Sequence, residues 1–525
     1  MSGLARILTP VAGAAMLALF AISQAQAQTT PTAPAKAEAT HEQIVITHTP
    51  AQRSRVRDAL SRLLGKTKSD TLSTTGSQVL SVPKEKSEAV KKRLEKLGAK
   101  VTKLHEKWDH ILARRGKDAA ALSPAQQAVV DKVAKSPHMV NVGVLHMPNA
   151  AIAEHALRRF EEQVGTKGQG GPPEDRYAKV VLPISATEDI TLVRTQPPVT
   201  TEKGVTWTGE VENSGERALL MLWKDGHLSG YFGYRGRVFV VNHMGGTVHT
   251  MAEMDPGKMP PDHAPAAKGS SRDAAPSPAP AAPLPSPPEP AVTPFTDAER
   301  QALEAKQVVI DVMLLYTNNA AQHYVREPHD LMALAIEQAN ETFRNSGLGN
   351  VSLRLVHSQA IDYNEAGADQ FGILYQMVDG LGAFKDLKRL RNEKRADIVG
   401  LIVDDPNGCG LSTRVGAEAD EAFFIVHHSC AAITYSIAHE VGHILGARHD
   451  RAVDTNDKPF AFAHGYVNGT KWRDMMSYRE GCGGCPRIPF WSNPRVNYKG
   501  EPTGTAATDN ARVILEQAER VSKFR

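Results

Sequence analysis

The sequence predicts an α/β chain of the α+β kind: a C-terminal domain with a mixed, mostly parallel sheet and an active-site helix, preceded by a mainly β portion. Three observations carry this. Residues 296–525 alternate apolar strand-like runs with helical periodicity and lead into a helix reading His439-Glu440-Val441-Gly442-His443. Residues 177–254 instead show short alternating segments punctuated by Lys224-Asp225-Gly226 and Tyr234-Arg235-Gly236, the pattern of a β-meander. Between them, 256–295 is dominated by Pro, Ala and Ser, which hold a chain extended and cannot build a core, so it reads as an exposed linker open to proteolysis.

From the start, residues 1–27 read as a secretory signal peptide. Arg6 supplies the positive end, 7–22 is apolar but shorter than the ~20 residues of a membrane span, and Ala25-Gln26-Ala27 gives the small-x-small cleavage pattern. The expectation is an exported protein without stable membrane association, secreted or else held in the periplasm. After a Thr/Pro/Ala leader, strands at 43–47, 78–82 and 101–104 with helices at 53–64 and 84–97 suggest a small βαβ unit. The lysines of 84–96 read as a solvated helix face.

The meander strands fall at 180–183, 190–195, 205–211, 218–223, 228–234 and 238–241, with His243 and His249 expected at the surface. In the C-terminal domain, strands are expected at 308–316, 351–356, 396–403 and 422–426, and helices at 331–345, 384–394 and 509–523.

The chain carries 61 Lys and Arg against 58 Asp and Glu, a net +3 that gives no footprint for nucleic acid. The charge is unevenly placed. Residues 296–525 hold 25 basic against 30 acidic side chains and the remainder 36 against 28, so the two parts attract one another.

The chemistry sits in His439-Glu440-Val441-Gly442-His443-Ile444-Leu445-Gly446-Ala447-Arg448-His449-Asp450. Histidines four apart on a helix project from one face and can hold a divalent metal without further help. Gly446 can adopt φ > 0, ending the helix and returning His449 towards the same metal. Three neutral imidazoles leave the fourth tetrahedral position of a Zn²⁺ open to water, the layout of a catalytic site, with Glu440 placed as general base.

All four cysteines, Cys409, Cys430, Cys482 and Cys485, lie in the C-terminal domain, and an even count in an exported chain implies disulfides. Three connectivities are possible, of which Cys409–Cys430 with Cys482–Cys485 is favoured. No thiol precedes Cys409, so a group masking the metal from the N-terminal side must be a carboxylate, an imidazole or a backbone group. Asp262 and His263 are the candidates.

The motif at 439–450 resembles that of the metzincin metalloproteases. Asp474-Met475-Met476-Ser477-Tyr478 lies where that family has its methionine turn, with Met476 as the hydrophobic floor of the metal site. Asp450 resembles the reprolysin branch, whereas Tyr478 resembles astacins and serralysins, in which such a tyrosine touches zinc or the oxyanion. Ile310-Asp311-Val312, Cys409-Gly410, His464-Gly465-Tyr466 and Phe490-Trp491-Ser492-Asn493-Pro494 extend the similarity to secreted bacterial reprolysin-like proteases, several called peptidyl-Asp metalloendopeptidases.

The resemblance implies a monomeric, one-zinc endopeptidase acting on proteins or peptides. Residues 28–255 would be its propeptide, serving as inhibitor and chaperone, and 296–525 its catalytic domain. It also implies a cation in the pocket after the methionine turn, from Arg479 or Arg487. The rival reading is a secreted zinc-binding adhesion or toxin-like protein without peptidase activity.

Overall fold

The structure is a computed structural model that describes residues 41–48, 50–64, 77–103, 110–112, 114–115, 122–146, 179–185, 188–197, 199–201, 203–262, 284–325, 328–365 and 367–525. The expected signal peptide and leader, and His263, lie outside these residues.

The first unit is a three-stranded sheet in which His41–Thr47 pairs antiparallel with both Ser77–Pro83 and Lys100–Lys103. The two outer strands run parallel to each other and are joined through the helix Lys84–Glu95. The βαβ unit read from the sequence therefore takes a split form, with the first strand inserted between its two strands. Val90 and Leu94, one turn apart, bury against Ile44, Ile46, Leu80 and Val82, while Lys84, Lys86, Lys92 and Lys96 face water.

The second unit is an eleven-stranded, mostly antiparallel sheet. Its central run is a meander of Gly204–Val211, Arg217–Trp223, Leu228–Tyr234, Arg237–His243 and Val248–Met254, which then pairs with Met139–His146. The last two strands lie beyond the segments expected from alternation. The ends of the sheet are His110–Leu112 and Arg114–Arg115, strands close in sequence, which brings the two ends of the sheet near one another.

The unbroken apolar run in Arg217–Trp223 has a structural cause. Ala218, Leu220 and Leu222 point into the sheet's own core with Trp207 and Phe232. Leu219, Met221 and Trp223 point the other way and join the core of the C-terminal domain. A strand buried on both faces needs no polar alternation.

The C-terminal sheet has the order Val351–Ile361, Val308–Thr317, Ile398–Val403, Phe423–His427, Gly410–Ser412. Its first three pairings are parallel and the last, at the edge, is antiparallel. The helices His329–Asn345, Ser436–Leu445 and Asn510–Val521 share one core on this sheet. Gln370–Asp379 covers the other face with Ile373, Leu374 and Met377. Cys409–Cys430 and Cys482–Cys485 are the disulfides formed.

The second unit meets the C-terminal domain through polar contacts, two of them between opposite charges. Arg217 pairs with Glu341 and also donates to the Tyr435 hydroxyl at 2.9 Å. Lys132 reaches Asp404 at 3.4 Å, and His227 Nε2 lies 2.9 Å from Asp330. The histidines are where the sequence reading needs correction. His249 is fully buried, its Nε2 accepting the Leu228 N–H at 3.1 Å, and His243 stacks on His227 at 4.0 Å between ring centres. The paired edge of the strand at 248–254 places both inside the joint rather than on the surface.

A second histidine group, His138 with His323, His427 and His428 around Asp404, sits across the same joint. Burial, then the neighbouring His323, pushes His138 down to about 4, and burial does the same to His428. Separating the parts returns water to these rings, so the separated state binds more protons below pH ~6.5. Docking is therefore fully favourable above that pH and weakens as pH falls towards 4. Once the stretch 263–283 has been cut, dissociation at pH 5 should exceed that at pH 7.5 by about tenfold or more in Kd. Tighter docking at pH 5, read by size-exclusion chromatography, would reverse the sign and refute the assignment.

Candidate metal centre and active site

The helix Ser436–Leu445 begins at Tyr435, which adopts φ 63°, and ends at Gly446, φ 113°, a conformation that costs glycine nothing. All ten of its residues are buried. The Gly446 turn sends the chain back so that His449 Nε2 lies 2.9 Å from His443 Nε2 and 3.2 Å from His439 Nε2. Two of the other ring nitrogens have carbonyl partners: His439 Nδ1 faces the Met475 carbonyl at 3.1 Å and His443 Nδ1 the Ala447 carbonyl at 2.9 Å. A carbonyl only accepts, so these Nδ1 atoms carry the protons and the Nε2 atoms of His439 and His443 keep lone pairs directed at the His449 ring. Two nitrogens bound tetrahedrally to one zinc at 2.0–2.1 Å stand roughly 3.3 Å apart. The donor set thus fits a small divalent cation.

Glu440 lies one residue beyond His439, against the edge strand. Ser412 Oγ is 2.7 Å from the Glu440 carbonyl and 2.9 Å from its Oε2, within donating distance of both. A Cβ on Gly410 would fall 2.5 Å from Glu440 Oε1, so this glycine makes the room that the carboxylate occupies. Burial pushes the Glu440 carboxyl up to about 8, opposed by Ser412 and by the Arg487 charge. A dication on the histidines would act in the same direction as Arg487.

The floor comes from Asp474-Met475-Met476-Ser477. Asp474 Oδ1 accepts the backbone N–H groups of Met476 at 3.2 Å and Ser477 at 2.8 Å, and its Oδ2 accepts that of Ser492 at 3.0 Å, which fixes the turn. Met476 is fully buried, and its Sδ would stand 3.0 Å from a Cβ on Gly442. Asp450 Oδ2 accepts the Tyr478 N–H at 2.9 Å, tying the loop of the third histidine to the residue beyond the turn. Burial pushes that carboxyl to about 7. The Tyr478 ring lies over His449 with centroids 4.1 Å apart.

The two arginines named from the sequence differ in placement. Arg479 lines a cavity of about 330 Å³ beside the helix. Arg487 is buried in its wall, donating to the Thr434 carbonyl at 2.8 Å and to Asp262 at 3.1 Å. Asp262 therefore stands at the cleft, with its carboxylate on arginines, while the metal-capable group there consists of the three histidines.

Sequence reasoning missed Arg473, which also holds Asp262 at 3.1 Å, and Ser412. It also gave no role to His464, whose Nδ1 meets the His449 carbonyl at 2.9 Å. Arg473 lies three residues before Met476, on the side of the turn opposite to the one from which a cation was expected. Two further groups of metal-capable residues occur among the described residues, His227/His243/Asp330 and His323/Asp404/His428. Each includes a carboxylate already paired with histidine.

Residues 306–492 match the description Metallo-peptidase family M12, Reprolysin_5. This part of the chain resembles a reprolysin-like M12 domain. The peptidyl-Asp metalloendopeptidase of Xanthomonas campestris pv. campestris is 36% identical over 227 residues, covering 43% of this chain and 54% of that protein. Two proteins of the same name from Stenotrophomonas maltophilia strains are 31% identical over 289 residues and 29% over 357, covering 53% and 63% of this chain and 64% and 80% of their own. The match thus spans between half and two thirds of the first two relatives. Among solved structures, metalloproteinase-II from Bacteroides fragilis gives a TM-score of 0.33 at 14% identity, covering 62% of this chain and 90% of that one, too distant to argue from. The M12 match contains the three convergent histidines, Glu440 and Met476.

Proposed function

We propose that the chain is an exported zinc endopeptidase made as a zymogen, with residues 28–255 as its propeptide. The observation that carries this is the convergence of three imidazole Nε2 atoms beside a buried carboxyl on the same helix. The M12 match and the metalloendopeptidase names of the relatives support it.

His439, His443 and His449 would hold the zinc, which when bound supplies Lewis acidity towards a water and the scissile carbonyl. Glu440 takes the water's proton and later passes it to the leaving amine. Ser412 holds the Glu440 carboxylate in register for both transfers. Tyr478, its ring over His449, donates its hydroxyl to the oxyanion that develops on the substrate. Met476 and Asp450 keep the histidines and this tyrosine in place. An extended protein or peptide substrate lies along the edge strand Gly410–Ser412. The name shared by the relatives points to a cut beside an acidic residue.

The test uses the purified exported protein on casein and on a peptide library. Cleavage should disappear on treatment with a zinc chelator and return when zinc is restored. Cleavage indifferent to the chelator would sink the reading, and so would no cleavage by a zinc-loaded protein from which residues 28–283 have been removed.

A further inference from the structure

The cleft beside Glu440 already contains a carboxylate, and it belongs to the N-terminal part of the chain. The last meander strand ends at Met254, and Asp255 caps a short turn through Pro256–Lys258 by accepting the Gly257 N–H at 3.0 Å. The residues that follow were expected to be exposed linker. Instead, the Pro261 carbonyl accepts the Cys409 N–H at 2.7 Å. Cys409 is the residue before the edge strand, and its disulfide to Cys430 fixes that donor in place.

One residue on, Asp262 Oδ2 lies 3.1 Å from both Arg473 Nη1 and Arg487 Nη2. Neither guanidinium is free to wander. Arg473 donates to the Ser477 carbonyl at 2.6 Å and the Cys485 carbonyl at 3.3 Å, and Arg487 to those of Thr434 and Ser477 at 2.8 and 3.2 Å. Ser477 directly follows Met476, so the pair is built into the wall of the catalytic cleft. The charge of Asp262 is felt at Glu440 itself.

Two buried guanidinium groups side by side repel, and each is short of water. Burial, then the Arg487 charge, lowers Arg473 to about 10, and Asp262 works against both. Removing Asp262 leaves a preformed, doubly cationic pocket opening on a cavity of about 330 Å³. An anion entering there meets fixed donors whose ordering cost has been met in the fold.

We propose that Arg473 and Arg487 together form the pocket that receives an acidic side chain of the substrate, and that Asp262 keeps the site closed by occupying this pocket as a tethered stand-in for that side chain. The inference rests on the endopeptidase reading and adds to it the residues that select the substrate and the group that blocks them. Latency on this account lies in the specificity pocket. It does not require Asp262 to be a metal ligand.

The experiment uses the full chain, uncut and after removal of residues 28–283, which takes Asp262 away, and two fluorogenic peptides that differ by one Asp-to-Asn change. In the uncut chain, Asp262→Asn should raise hydrolysis of the Asp peptide by at least about tenfold, with no difference from wild type once the N-terminal part is gone. In the cut enzyme, Arg473→Gln or Arg487→Gln should lower kcat/KM for the Asp peptide by about a hundredfold more than for the Asn peptide, collapsing the preference. Arg473→Lys, which keeps a cation, should restore part of it. Unchanged latency in Asp262→Asn, or an intact Asp preference in both glutamine variants, would overturn the proposal. Thermal melting and zinc content show whether a variant has simply misfolded.

If no form cleaves any peptide, the endopeptidase reading fails, and calorimetry decides the pocket separately. The Asp peptide should bind the uncut Asp262→Asn chain at least about tenfold more tightly than the wild type, a gain that Arg487→Gln removes. Equal binding to the two would refute the pocket whatever happens to catalysis.

Discussion

Replacing Glu440 with Gln is expected to abolish peptide hydrolysis while leaving the metal bound. The amide matches the carboxylate in shape, can keep the Ser412 contact, and fits the space left by Gly410. What it loses is the ability to accept a proton. General base catalysis is worth ~10²–10⁴-fold, so kcat should fall by at least that range, and further if the same group also protonates the leaving amine. Metal content should be unchanged, because the three convergent Nε2 atoms and the carbonyls that orient two of the rings are untouched. Steady-state kinetics and atomic absorption on one preparation give both readouts. Retained turnover would remove Glu440 from the mechanism; lost metal would mean the residue holds the site together rather than acting in it.

Trp491→Ala should produce the largest loss of stability from a single side chain. The ring is fully buried and stacks on Phe343 with centroids 5.7 Å apart. Its Nε1–H donates to Thr342 Oγ1 at 3.0 Å, and its backbone N–H to Ser346 Oγ at 2.8 Å. It also fills the space where a Cβ on Gly442 would be, 2.6 Å from its Cζ3, so it supports the active-site helix directly. Truncating such a group costs about 3–5 kcal/mol through lost burial and the cavity left behind. In a domain of this size that corresponds to a Tm lower by roughly 6–20 °C. A shift of a degree or two by calorimetry would mean that the neighbouring helix collapses into the gap.

The metal-capable triad was legible in the sequence because its geometry is local. Spacing of four on a helix aligns His439 and His443, and the glycine that must turn the chain sits three residues later. The strands and helices with strong apolar periodicity were legible for the same reason. What was not legible depends on contacts between residues far apart. Ser412 comes to Glu440, and Arg473 to Asp262, only through the sheet edge and the wall beyond Met476. His243 and His249 looked like surface residues because nothing near them in sequence shows the second part that covers them. Some local signals were passed over. Ser123 and Gln126 form a capping box before the helix Pro124–Ala134, and Asp369 and Gly380 bracket Gln370–Asp379 with an N-cap and a left-handed C-cap.

The strand Arg217–Trp223 has a consequence for how the two parts can ever come apart. Its outward row of Leu219, Met221 and Trp223, with Tyr231 from the next strand, is apolar surface held in common with the C-terminal core. Cutting the chain at the linker does not release that surface; it only removes the tether. Full separation exposes a hydrophobic stripe on each partner at once, and every residue in it adds to the work of parting them. A single nick therefore leaves a clasped pair.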